Sequence, residues 1–171
     1  MKLYKGMEET MNEKLLDLES RSMRENLMFC GLPESTPDNC EQLVKDPIRN
    51  TLNIDHTDIT LDRVHKIGNE RAQKPRPIVA KFHRYADRDM IRNKAYETEC
   101  KEKLKDDSQG VGIQWPQQTR AARKAFYTYT KEEEAKGKRV RITGNKLYVN
   151  NVLKKKYVDG NVCDVMSSDA N

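Results

Sequence analysis

Four short apolar or alternating runs predict four β-strands in the first two thirds of the chain. The runs are residues 26–32, 59–66, 78–83 and 110–115. The first is closed by Gly31 and Pro33, which is typical of a buried strand. The third alternates between apolar and polar side chains, the pattern of a half-buried strand.

Two helices are predicted between these strands. Asp38 suits an N-cap, with Glu41 three residues on as its capping partner, and Pro47 should break or kink the helix that follows. The second helix is predicted over 85–104. Its inward residues are expected to be Met90, Ile91, Ala95 and Leu104. The order strand, helix, strand, strand, helix, strand predicts an α+β, RRM-like (ferredoxin-like βαββαβ) domain over residues 23–115.

A small second module follows at residues 116–152. Pro116 suits the first position of a helix and Gly137 its C′ position. An apolar stripe is expected at Ala122, Ala125, Phe126 and Tyr129. Gly144-Asn145 then predicts a two-residue turn between strands 140–143 and 146–149. Residues 153–171 are basic, then acidic, and are predicted to be a flexible tail.

Residues 1–22 predict an N-terminal helix that resembles the remnant of a coiled coil. Tyr4, Met11, Leu15 and Leu18 occupy heptad positions d, d, a and d, with Glu8 and Ser22 at the other a positions. Two to three heptads bury little apolar surface. We therefore expect a mainly monomeric chain, with self-association through this helix left open.

Composition narrows the functional classes. Hydrophobic residues make up 36% of the 171 residues and charged residues 35%, against roughly 45–50% and 25% in typical globular chains. No apolar run approaches the ~20 residues of a membrane span, and no signal peptide is apparent. The charge is concentrated: residues 61–104 carry a net +5 and residues 112–156 a net +9. Such asymmetry favours a polyanionic partner, nucleic acid before membrane.

The candidate nucleic-acid-binding residues are the cations of these two blocks. They are Arg63, Lys66, Arg71, Lys74, Arg76, Lys81, Arg120, Arg123, Lys124, Arg139 and Arg141. Phosphates require such cations, and Tyr127 lies among those of the helix, where it could stack on bases. For about half of them the simpler interpretation is a solvated surface side chain, and the run 132–134 with its neighbouring lysines is interpreted in that way.

The sheet lacks the usual RRM stacking platform. Met28, Pro77 and Val79 stand where RRM strands normally show outward aromatics, and Phe29 and Phe82 should face the helices. Trp115 has two interpretations, a base-stacking residue or a core residue, and its position at a strand end favours the core.

The sequence offers little support for a catalytic site or a metal site. Four cysteines without a C-x-x-C pair, and three histidines, make a zinc site improbable and indicate reduced thiols. There is no glycine-rich phosphate loop and no evident nucleophile–base pairing. We expect no enzyme, no cofactor and no metal.

The chain resembles the RNA-binding region of LINE-retrotransposon first-open-reading-frame proteins (transposase 22 type). The similar blocks are residues 24–34 (RENLMFCGLPE), 62–66 (DRVHK), 76–82 (RPIVAKF), 119–124 (TRAARK) and 139–142 (RVRI). The resemblance covers residues 8–152 and implies a trimerising coiled coil, an RRM, and a C-terminal domain that closes a cleft around single-stranded RNA. It assigns RNA contacts to Arg63, Lys66, Lys81 and Arg123.

The chain departs from this family at two points, the short coiled coil and Thr143, where many members carry an aromatic. The expected function is single-stranded RNA binding, with single-stranded DNA as a second ligand. The resemblance implies a nucleic-acid chaperone and component of a cytoplasmic ribonucleoprotein in retrotransposition, with the nucleus as a second location. The alternative is an interaction domain, a decayed or host-adopted copy that has lost RNA binding.

Overall fold

A computed structural model describes residues 2–34, 39–70 and 73–166. In that part of the chain the helices are α1 Lys2–Ser22, α2 Cys40–Asn50, α3 Tyr85–Tyr96, α4 Thr98–Asp106 and α5 Gln117–Ala135. The strands are β1 Asn26–Cys30, β2 Leu61–Lys66, β3 Ile78–Phe82, β4 Gly110–Ile113, β5 Val140–Thr143, β6 Lys146–Val149, β7 Val152–Val158 and β8 Asn161–Asp164. The chain is α+β, as predicted.

The chain divides into two compact units. The central unit comprises residues 23–114, and the terminal unit comprises residues 1–22 with 115–171. Trp115 therefore belongs to the terminal unit, whereas the sequence assigned it to the domain before. The N-terminal helix, predicted as a separate segment, also belongs to the terminal unit.

The central unit is an antiparallel sheet with strand order β2-β3-β1-β4. Its core lies between one sheet face and the three helices α2, α3 and α4. Phe29 and Phe82 are 1% and 0% exposed in that core, which confirms the orientation expected from the alternation. Met28 and Val79 alternate with these core residues and lie on the opposite face. We call that surface the open sheet face because no described helix of the central unit packs on it, although Val79 is only 2% exposed there and Met28 is half-buried.

Gly31 directly follows β1 and lies at a place where no side chain fits. Its φ is +76°, and a Cβ there would lie 2.0 Å from the backbone oxygen of Ser108. The turn between α4 and β4 therefore approaches the end of β1 within backbone contact. Glycine is the residue that allows both the left-handed backbone and the close approach.

Helix α2 differs from its prediction at both ends. Its N-cap is Asn39, whose side chain accepts a hydrogen bond from the Gln42 backbone at 3.1 Å. Asp38, the predicted cap, lies outside the described residues. The helix also runs through Pro47 to Asn50 without the expected break. Pro47 is buried beside Val44 and Ile48, and this packing offsets the lost backbone hydrogen bond.

The single helix predicted over 85–104 is two helices. Glu97 separates α3 from α4 with an extended backbone, φ −59° and ψ 139°. The apolar spacing explains the break, because Ala95 and Cys100 are five residues apart and would lie on different faces of one continuous helix. The break brings both into the core. Met90, expected inward, is 45% exposed.

The terminal unit is built on a second antiparallel sheet of order β5-β6-β7-β8. The predicted hairpin of β5 and β6 is confirmed, as are the Gly144-Asn145 turn and the position of Gly137 directly after the α5 C-cap. The small core consists of Ala122, Phe126, Leu147 and Val149. Ala125, expected in the apolar stripe of α5, is exposed.

The predicted flexible tail is wrong over its first twelve residues. Residues 153–158 belong to β7 and residues 161–164 are β8, with the Asp159-Gly160 turn between them, and both strands extend the hairpin sheet. Tyr157 packs against the core of the terminal unit, and its backbone donates to the Asn145 carbonyl at 2.8 Å. Backbone pairing and this contact offset the entropy cost of ordering a polar segment. Residues 167–171 lie outside the described part.

Helix α1 packs on the hairpin turn through one face only. Leu16 is 7% exposed, and its Cδ2 would lie 3.1 Å from a Cβ at Gly144. Glu13 pairs with Lys146 at 2.7 Å. The predicted heptad residues lie on another face: Tyr4, Met11, Leu15 and Leu18 are 60–77% exposed.

Among the described residues, no helix combines the length and apolarity needed to cross a bilayer.

Candidate nucleic-acid interface

The open sheet face carries two of the predicted cations. Arg63 on β2 and Lys81 on β3 are register partners, so their side chains lie side by side. Met28, Val79 and His65 lie around them. The strands present no aromatic side chain for stacking on this face. Lys81 lies 3.8 Å from Glu25, a long and half-exposed pair.

Lys66 and Arg76 are held by one carboxylate. Glu34 accepts from Lys66 Nζ at 2.5 Å, from Arg76 Nε at 3.1 Å and from the Arg76 backbone at 2.9 Å. These bonds, that of the Arg76 side chain foremost, lower the pKa of Glu34 to about 2. A phosphate that binds either cation must therefore compete with a carboxylate already in position.

The other two predicted cations of the central unit lie in the loop before β3. Lys74 is exposed, and Arg71 lies outside the described residues. The central unit holds 16 basic and 16 acidic residues, so it has no net charge. The basic block that the sequence indicated is balanced within its own unit.

Helix α5 presents three of the predicted cations to solvent. Arg120, Arg123 and Lys124 are exposed and form no ion pair with any described carboxylate. They lie on the helix surface away from Ala122 and Phe126, which the helix buries. Tyr127, predicted to stack on bases, is 63% exposed, with Lys131 Nζ 5.9 Å from its ring centroid.

The hairpin contributes Arg139 and Arg141, again without a carboxylate partner among the described residues. The Arg141 guanidinium lies over the Tyr148 ring at 5.0 Å, across the β5–β6 pair. Trp115 is in the same unit, with the Arg123 guanidinium 4.8 Å from its ring centroid. It is half-buried and belongs to neither core cluster, in contrast to the expected core position.

Strand β7 adds cations that were predicted to lie in the flexible tail. Lys154 is exposed on the strand, Lys156 is the register partner of Lys146, and Lys155 lies over the Tyr129 ring at 4.5 Å. The signal for the β7–β8 hairpin was Asp159-Gly160, a residue pair typical of a two-residue hairpin turn.

The acidic run 132–134 is only partly a solvated face. Glu133 is 5% exposed and accepts from Lys136 at 2.7 Å and Lys138 at 2.6 Å. These two bonds lower its pKa. Glu133, Lys136 and Lys138 connect the end of α5 to the start of the hairpin. Lys136 and Lys138 therefore stabilise the fold, and a ligand would have to compete with Glu133 for them.

The two units differ in net charge and in chemistry. The terminal unit holds 16 basic and 11 acidic residues, a net +5 that equals the charge of the whole chain. Within the described ranges, no three histidine, cysteine or carboxylate side chains are grouped as a metal site would require. The arrangement offers cations and aromatic faces, which together suit a flexible, phosphate-bearing chain.

Comparison with protein-family models and with curated proteins found no match.

Proposed function

We propose that this protein binds single-stranded RNA, mainly through phosphate contacts from the terminal unit. The observation that carries the proposal is the set of exposed cations on α5, directly before β5 and on β5 that have no carboxylate partner among the described residues. They are Arg120, Arg123, Lys124, Arg139 and Arg141. These residues can contact phosphates without first breaking an ion pair.

The fold supports an RRM-like interpretation of the central unit. Strand order β2-β3-β1-β4 with helices on one face is the arrangement of the ferredoxin-like plan. Together with the block resemblance, it favours a protein of the LINE first-open-reading-frame type. Work as a nucleic-acid chaperone within a ribonucleoprotein belongs to the same proposal, as do single-stranded DNA as a second ligand and self-association through α1.

A charge-based interface predicts weak sequence preference and strong salt dependence. For single strands, log K falls with log salt by about 0.7 per neutralised phosphate, so five contacts give a slope of about −3 to −4. A duplex of equal length should bind more weakly, because its bases are not available to the aromatic residues.

Fluorescence anisotropy with a labelled 15-nucleotide RNA, its duplex and an unrelated sequence, each over a salt series, tests the proposal. Two RNA sequences of equal affinity and a steep slope support it. A slope near −1 with strong preference for one sequence contradicts it.

One observation favours a second candidate, a protein-interaction domain without RNA binding. The central unit is neutral, and its open face lacks aromatic side chains on the strands. The absence of any RNA binding in the same salt series would favour this alternative.

A further inference from the structure

The terminal unit contains a groove of about 440 Å³ beside the hairpin turn. One wall is α1, at Glu13, Leu16 and Asp17, and the other is formed by the end of the β5–β6 hairpin. Two aromatic side chains, Trp115 and Tyr148, line the same groove. Most of its surface is apolar, and its volume falls in the range of small-molecule sites.

Both aromatic rings of the groove carry a guanidinium. Arg123 lies 4.8 Å from the Trp115 ring centroid and Arg141 5.0 Å from that of Tyr148. Bases stack on aromatic rings and on guanidinium planes alike. Each guanidinium covers one face of its ring, so a base can stack on the other ring face or on the guanidinium itself, whose charge can reach a neighbouring phosphate.

The acidic side chains of the groove do not make it repel an anionic strand. Glu13 is paired with Lys146 at 2.7 Å, and that hydrogen bond lowers its pKa. Asp17 is paired with Arg21 at 2.9 Å. Both carboxylates are compensated, so the surrounding cations Arg123 and Arg141 determine the sign of the local charge.

We propose that this groove binds a nucleobase of a single-stranded nucleic acid, stacked on the Trp115 or Tyr148 platform. The inference rests on the proposed function and deepens it. The open sheet face offers no aromatic on its strands, and Thr143 cannot stack. The groove offers stacking surfaces within the terminal unit.

Trp115 is the only tryptophan of the chain, so its fluorescence reports on the groove directly. The experiment titrates the full chain with an eight-nucleotide single strand and with an abasic strand of equal length and charge. We expect the base-bearing strand to quench Trp115 and the abasic strand to bind without quenching. A mononucleotide at the same concentration should not quench, since one phosphate engages few cations.

Variants add an affinity measurement. Trp115→Ala and Tyr148→Ala should each weaken binding of the base-bearing strand by roughly fivefold to a hundredfold, and should leave the abasic strand unchanged. Trp115→Phe keeps a ring and should retain most of the affinity. Tyr96→Ala is the matched control, because Tyr96 is an exposed aromatic with the Arg92 guanidinium 5.2 Å from its ring centroid and does not line the groove.

The outcomes separate the two proposals. Binding of both strands with no quenching, or equal losses for both strands in the variants, overturns the groove proposal and leaves RNA binding intact. Stronger quenching by the mononucleotide than by the strand overturns the strand as occupant. No binding of either strand overturns the proposed function, and the groove proposal with it.

Discussion

The two units of this protein use similar numbers of basic residues in different ways. The central unit has 16 cations and 16 carboxylates, and Lys66, Arg76 and Lys81 are each paired with a glutamate. The terminal unit has an excess of five cations, and Arg120 and Arg123 have no acidic partner among the described residues. Clustering of basic residues along a sequence therefore does not by itself give a folded unit a surplus of positive charge.

The units also differ in the size of their cores. Fourteen described residues are buried in the core of the central unit, and four in that of the terminal unit. Apolar burial is the main favourable contribution to folding, so the terminal unit has the smaller reserve of stability. The unit that we expect to bind RNA is thus the one more easily unfolded by mutation.

The largest expected effect follows from that difference. Phe126→Ala removes the largest side chain of the small core and should cost about 3–5 kcal/mol. We expect this variant to lose the folded signal of Trp115 without denaturant and to lose RNA binding. Phe82→Ala, the matched change in the central unit, should leave the Trp115 signal in place. Denaturant titrations followed at Trp115 make the comparison, and equal changes in both variants would show that the units do not differ in this way.

A smaller effect tests the strands β7 and β8. Tyr157→Ala removes a half-buried ring packed on the terminal core and should destabilise that unit by about 2 kcal/mol. Val162→Ala on β8, where the valine is 42% exposed, is the control and should cost about 0.5 kcal/mol or less. Thermal unfolding of the two variants measures the difference. An unchanged midpoint in Tyr157→Ala would return residues 153–164 to a flexible tail.

The smallest expected effect concerns Glu34 in the central unit. Its folded pKa of about 2 lies below that of an unfolded chain, so its ion pairs stabilise the unit above about pH 4.5, and this contribution is lost as the pH falls toward 2. Glu34→Gln should be less stable than the wild type at neutral pH and should approach it near pH 2. Circular dichroism over an acid titration checks this expectation.

Glu41→Gln serves as the control for the acid titration, because it removes a single i,i+4 pair with Lys45. It should follow the wild-type curve closely. A stability difference between Glu34→Gln and wild type that stays constant from pH 7 to 2 would show that protonation of Glu34 does not change the stability of the unit.

Local patterns were sufficient to predict much of the fold. The alternation around Phe82 predicted β3, and the Gly144-Asn145 pair predicted the β5–β6 hairpin, because both signals depend on neighbouring residues only. The break at Glu97 and the continuity of α2 through Pro47 were missed, because tertiary packing decided each of them. Strand β7 was missed because its lysines suggested a solvated tail, although backbone pairing with β6 orders it.

The candidate site was harder to predict than the fold. The sequence indicated which residues are basic, but ion pairing depends on partners distant along the chain, such as Glu34, which lies 42 residues from Arg76. The groove at Trp115 lies between α1 and the β5–β6 hairpin, two segments that are far apart in the sequence. No spacing rule connects those segments, so only the structure could bring them together.

The salt dependence of RNA binding in two matched charge variants tests the central claim most directly. One variant replaces Arg120, Arg123, Arg139 and Arg141 of the terminal unit by Gln, and the other replaces Arg63, Lys66, Arg76 and Lys81 of the central unit. Both remove four charges. The terminal variant should flatten the slope of log K against log salt by about 2 to 3 units, and the central variant by less than about one. Equal flattening, or a larger effect of the central variant, would contradict the assignment of phosphate binding to the terminal unit.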